Sequence, residues 1–126
     1  MRMSHYHELH KFAVEYLALY QDINTPYYMV EEGFADRCFD LNLKMDCGES
    51  FCRLYSEGMR DADNLKKIIH NVTNPEILGS AIFSQWRYVT HWAMSPMVNL
   101  MDENYRPWFV EAFTRLAELT DVTNTN

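Results

Sequence analysis

The sequence predicts an all-α fold: a compact bundle of five or six helices around one central buried helix, at about residues 75–94. Three observations lead there. Glycine and proline number four each in 126 residues, too few breakers for a many-turned β architecture, and Leu, Met, Glu and Ala favour helix. Apolar residues recur at three- and four-residue steps in several separate stretches. One of these, residues 74–94 (NPEILGSAIFSQWRYVTHWAM), is apolar round far more than the stripe of about 100° that a surface helix shows.

Ser4 is placed to cap a first helix over 5–23, in which Leu9, Phe12, Ala13, Tyr16, Leu17, Tyr20 and Ile23 make the apolar face; Asn24-Thr25-Pro26 ends it. A second helix is expected over 28–41, with Phe34, Ala35, Cys38, Phe39 and Leu41 inward and Glu31, Glu32, Asp36 and Asp40 solvated. Residues 41–45 alternate apolar and polar, which suits a short extended segment. Phe51, Leu54 and Tyr55 suggest a short helix ended at Ser56-Glu57-Gly58, and Asp61 or Asp63 can cap another over 62–71. The central helix comes next. Asn74 is its N-cap, Pro75 occupies the first position where no N–H is needed, Glu76 meets the positive dipole end, and Ser95-Pro96 stops it. A last helix, 107–119, turns Trp108, Phe109, Ala112, Phe113, Leu116 and Leu119 inward, and 121–126 (DVTNTN) reads as a frayed tail. The whole, 1–126, is one domain by size, and a chain 48% hydrophobic and 14% aromatic has ample material for a core.

Charge narrows the function classes. The net charge is -7, and residues 31–63 hold nine acids against four bases, net -5. An acidic chain without a Lys/Arg cluster is poorly suited to direct nucleic-acid binding or to an anionic membrane surface. No apolar run reaches the roughly 18 residues of a membrane span, and the polar start MRMSHYHELH carries no signal peptide. Cys38, Cys47 and Cys52 lack C-x-x-C spacing and read as small hydrophobes of a reduced compartment. The expected location is the cytoplasm.

The central helix carries the candidate site. Ser80, Ser84, Arg87 and His91 are spaced four, three and four, which is one helical face. Three readings apply: a side that sees water, a partly buried stripe paired with carboxylates, or a pocket wall with Arg87 gripping an anion and His91 titrating. At the N-terminus, His7 and His10 share a face and form a weak candidate metal pair. The text HELH falls one residue short of the zinc-protease H-E-x-x-H, so surface histidines at a helix start are the expectation, with no metal and no cofactor. Residues 46–50 (DCGES) read as a loop with a capping role, although His70 or His91 could approach Cys47 as a base. No phosphate loop, G-x-S-x-G or nucleotide fingerprint is present, and no catalytic residue is assigned.

The stretches GSAIFSQWRYVTHWA (79–93) and WFVEAFTRLAEL (108–119) resemble small uncharacterised bacterial domains found among phage and mobile-element genes. The resemblance covers the last third of the chain and implies an all-α cytoplasmic accessory domain; no functional residue follows from it. Eight methionines, eight tyrosines and three tryptophans exceed what one small core requires, and surplus Met and aromatic residues typify binding patches. The leading expectation is a non-enzymatic protein-interaction or regulatory module with a protein partner, a homodimer being one form. The alternative is a small enzyme or ligand-binding domain using the stripe. A third reading treats the acidic 31–63 region as a nucleic-acid mimic.

Overall fold

The structure, a computed structural model, describes residues 3–44, 67, 69–87, 89–90, 100–103 and 105–121. Among these residues it is all helix and turn, with no strand. Five helices appear in order: α1 (Met3–Gln21), α2 (Tyr28–Glu31), α3 (Phe34–Asp40), α4 (Pro75–Arg87) and α5 (Arg106–Leu119). A further helical turn occupies 69–71. The expected helix near 51–57, most of that over 62–71, the stop at Ser95-Pro96, and Cys47 and Cys52 lie outside the described residues.

α1 and α5 form an antiparallel pair, because successive contacts run in opposite chain directions. The Nδ1–H of His10 donates to the Ala117 carbonyl at 3.1 Å. The Tyr16 ring stacks on Phe113 at 5.7 Å, and Tyr20 on Phe109 at 4.8 Å. Arg106 Nη1 donates to the Tyr20 carbonyl at 3.2 Å. Most of each expected apolar face is buried: Leu9, Phe12, Ala13, Tyr16 and Tyr20 on one helix, and Trp108, Phe109, Ala112, Phe113 and Leu116 on the other, with Leu17 and Leu119 half-buried. The boundaries shift a little. α1 begins at Met3, one residue before the Ser4 expected as its cap, and Asp22 accepts from Asn24 N–H and Thr25 N–H at its exit.

The helix expected over 28–41 is two helices. Gly33 adopts φ 75, a left-handed conformation that only glycine takes at little cost, and the ladder breaks there. The break reaims the chain so that Phe34 enters the core. Its ring lies 5.0–6.5 Å from those of Phe12, Tyr16, Phe83, Trp86 and Phe113. One side chain thereby touches α1, α4 and α5. Arg37, one turn on, fixes α3 from outside. It pairs with Glu15 at 2.8 Å and lies over the Phe12 and Tyr16 rings at 5.5 and 5.1 Å.

Residues 41–44 form a turn where an extended segment was expected. Asn42 takes φ 61, its N–H reaches the Phe39 carbonyl, and Leu43 N–H reaches the Cys38 carbonyl at 2.9 Å. This is the Schellman arrangement, with asparagine in the left-handed position. The alternation of apolar and polar residues arises because Leu41 and Leu43 fold back onto the core on either side of Asn42. Cys38 is fully buried, and desolvation pushes its thiol well above the ordinary range, as befits a small core hydrophobe.

The central helix starts as expected: Glu76 N–H donates to Asn74 Oδ1 at 2.9 Å. Ten of its thirteen residues are buried, so it is wrapped by neighbours and not laid on the surface. Beyond Arg87 the helical path continues as a wider turn at Val89 and Thr90, where Thr90 Oγ1 donates to the Trp86 carbonyl at 2.9 Å.

Tyr20 provides a test of this packing. It is fully buried, and its hydroxyl has no hydrogen-bond partner among the described residues. Desolvation holds its phenol well above the ordinary range, so the folded form stays neutral. Tyr20→Phe is expected to leave stability at neutral pH unchanged or raised by up to about 1 kcal/mol, since it removes an unsatisfied group. Above roughly pH 10 the unfolded chain releases the Tyr20 proton while the folded chain retains it, so wild-type stability falls with rising pH. The variant should fall less steeply. Urea denaturation at neutral and alkaline pH checks both; a loss above about 1 kcal/mol at neutral pH contradicts the assignment.

Candidate functional site

The four stripe residues do not share one environment. Ser80 and Ser84 are each only 9% exposed, while Arg87 is exposed; His91 lies outside the described residues. The reading of the stripe as a side that sees water therefore fails for the two serines. Ser80 has a structural partner: its Oγ accepts the Lys44 backbone N–H at 3.1 Å. That N–H comes directly after the 41–43 turn, so Ser80 ties the exit of α3 to α4.

Gly79 explains why the turn can come so close. A Cβ built on Gly79 would stand 2.8 Å from Leu43 Cδ2, and Leu43 is itself buried. Gly79 and Ser80 thus form the seat for the Schellman turn. A glycine inside a helix costs about 1 kcal/mol against alanine, and here close approach of Leu43 is what it permits. Small and polar positions along a helix signal close packing as well as chemistry, and spacing alone does not separate the two.

The N-terminal histidines also part company. His7 is exposed, and His10 is half-buried and engaged with the last turn of α5, where its Nδ1 also lies 3.3 Å from Thr120 Oγ1. A carbonyl can only accept, so His10 carries its proton on Nδ1, and this donor serves the Ala117 carbonyl in the last turn of α5. His5 lies 3.9 Å from Glu76, and His70 lies 3.6 Å from Glu111. Among the described residues no three His, Cys, Asp or Glu side chains gather closely enough to hold a metal.

Two surface features were not anticipated as such. The first is a cleft of about 240 Å³ between α1 and α3, lined by Glu8, Lys11, Glu15, Arg37, Asp40 and Leu41. Five of these six are charged. Small-molecule sites are commonly larger and mostly apolar, and the Arg37 guanidinium is already held by Glu15. The second is the corner joining α1 to α2, where Ile23, Tyr27, Tyr28 and Met29 are 73%, 50%, 55% and 45% exposed. Of these, the sequence pattern assigns a face to Ile23 alone, and that face is the buried one. α1 ends at Gln21, two residues earlier than its periodicity suggested, which frees Ile23 from that face.

The Gly79–Leu43 contact gives a sharp expectation. Leu43→Ala should cost about 2–5 kcal/mol. In that background Gly79→Ala should stabilise by up to about 1 kcal/mol, through helix propensity. In the wild-type background the same change meets Leu43 and should give no gain. A double-mutant cycle by equilibrium denaturation reads the difference; additive effects would mean the close approach is absent.

Compared with known proteins, the chain matches no family model, no curated protein and no solved structure.

Proposed function

We propose that the chain is a non-enzymatic interaction module, a cytoplasmic accessory domain of the bacterial or mobile-element kind its sequence resembles, which works by contact with a protein. The observation that carries this reading is the α1–α2 corner, where four large apolar or aromatic side chains close in sequence stand exposed. Scattered exposed hydrophobes are ordinary, but neighbouring ones mark contact surfaces, and Tyr and Met are side chains that binding surfaces favour. Of the polar stripe, Ser80 is already engaged with a backbone amide and Ser84 is buried. No helix among the described residues is long and apolar enough to cross a membrane.

A photo-crosslinking residue placed at Tyr28, with a matched one at Glu118 as control, tests this in the native host. A discrete protein adduct from position 28 and none from 118 is the expected result; an adduct at twice the mass of the chain would identify the homodimer. No adduct from either position, together with a small ligand whose binding Arg87→Ala abolishes, would replace the proposal with the ligand-binding alternative.

A further inference from the structure

The surroundings of the exposed corner bear on the chemistry of its partner. Between Lys11 and Arg37 the chain contains no Lys, Arg or His and five acids: Glu15, Asp22, Glu31, Glu32 and Asp36. Glu15 is paired with Arg37, but Asp22, Glu31 and Glu32 lie within the corner itself and make no ion pair among the described residues. Among the described residues, Arg106 reaches the end of α1, where it donates to the Tyr20 carbonyl. The corner therefore presents apolar and aromatic groups within an acidic rim.

The corner is also held in shape. Thr25 N–H donates to the Asp22 carbonyl, Met29 N–H to that of Pro26, Val30 N–H to that of Tyr27 and Glu32 N–H to that of Tyr28, all at 2.8–3.1 Å. Val30 is fully buried and anchors α2 to the core. Pro26 fixes its own φ. A partner thus meets a surface whose backbone is already ordered, which lowers the entropic cost of binding.

Charge decides among occupants. A second copy docked corner to corner would bring two acidic rims together, and like charges opposed across an interface are strongly disfavoured. A segment with apolar side chains flanked by Lys and Arg has the complementary pattern. We propose that the α1–α2 corner docks a basic amphipathic segment of another protein, with Ile23, Tyr27, Tyr28 and Met29 taking its apolar face and Asp22, Glu31 and Glu32 its cations. This rests on the interaction reading above and would fall with it.

The probe is a short amphipathic peptide of leucine and lysine, with a leucine–glutamate peptide of equal length as its counterpart, both titrated into the full chain by calorimetry. The basic peptide should bind, more weakly as salt rises, and the acidic one should not. Tyr28→Ser/Met29→Ser and Glu31→Lys/Glu32→Lys should each weaken binding by about tenfold or more. Glu8→Lys/Glu118→Lys makes the same charge change at the far end of the α1–α5 pair, roughly 20 Å along α1, and should leave binding nearly intact. Equal effects of the two charge reversals would show general attraction to an acidic protein and overturn the proposal. So would self-association, measured by sedimentation, that Tyr28→Ser/Met29→Ser abolishes, since the occupant would then be a second copy. A protein adduct at position 28 without basic-peptide binding would reject the stated chemistry and leave the interaction module standing; loss of both would remove both.

Discussion

Phe34 is the side chain on which the described helices converge. It is fully buried, and its ring reaches rings on α1, α4 and α5. Aromatic pairs at such separations contribute about 0.5–1.5 kcal/mol each beyond the area they bury, and truncating a buried phenylalanine costs about 3–5 kcal/mol. The position exists because Gly33 turns the chain through a left-handed residue immediately before it. A non-glycine residue with positive φ costs about 1–2 kcal/mol. A residue without a side chain thus places in the core a ring that links three other helices.

Around this hub the molecule has two tiers. The first is the α1–α5 pair, stacked through Tyr16, Tyr20, Phe109 and Phe113 and closed at its ends by His10 and Arg106. The second is α4, buried on most of its circumference. It meets α3 through the seat that Gly79 and Ser80 provide for Leu43 and Lys44. The antiparallel pair joins residues far apart in the chain; α4 packs directly on α5, and the Phe34 cluster adds ring contacts that tie it to α1 as well. The surface left over at the α1–α2 corner is shaped by the same constraint: α1 ends where α5 begins, and the chain turns outward through Ile23 and Tyr27 before Val30 re-enters the core.

Much of this was legible in the sequence. Periodicity located α1, α4 and α5, and Asn74-Pro75 marked the start of α4 correctly, because each of these signals is local and physical. The break at Gly33 was missed because residues 28–41 keep an apolar spacing that a single helix would also show. The Schellman turn was missed because Leu41-Asn42-Leu43 has the alternation of a strand. Both errors came at residues with positive φ, where conformation is set by the need to place a neighbour, Phe34 or Leu43, in the core. The stripe of Ser80, Ser84, Arg87 and His91 was read as one helical face from its spacing. What a face touches depends on partners from distant segments, and Ser80 finds its own 36 residues away. Nothing in the local spacing carried that information.

α1, α4 and α5 thus form one cooperative unit joined through Phe34. Native-state hydrogen exchange of the core amides tests this most directly. The slowest amides of all three helices should open with a common free energy, equal to that of global unfolding. If those of α4 opened more easily than those of α1 and α5 by more than about 1.4 kcal/mol, a tenfold difference in rate, then α4 would be a separate layer and the Phe34 cluster would not be what unites the fold.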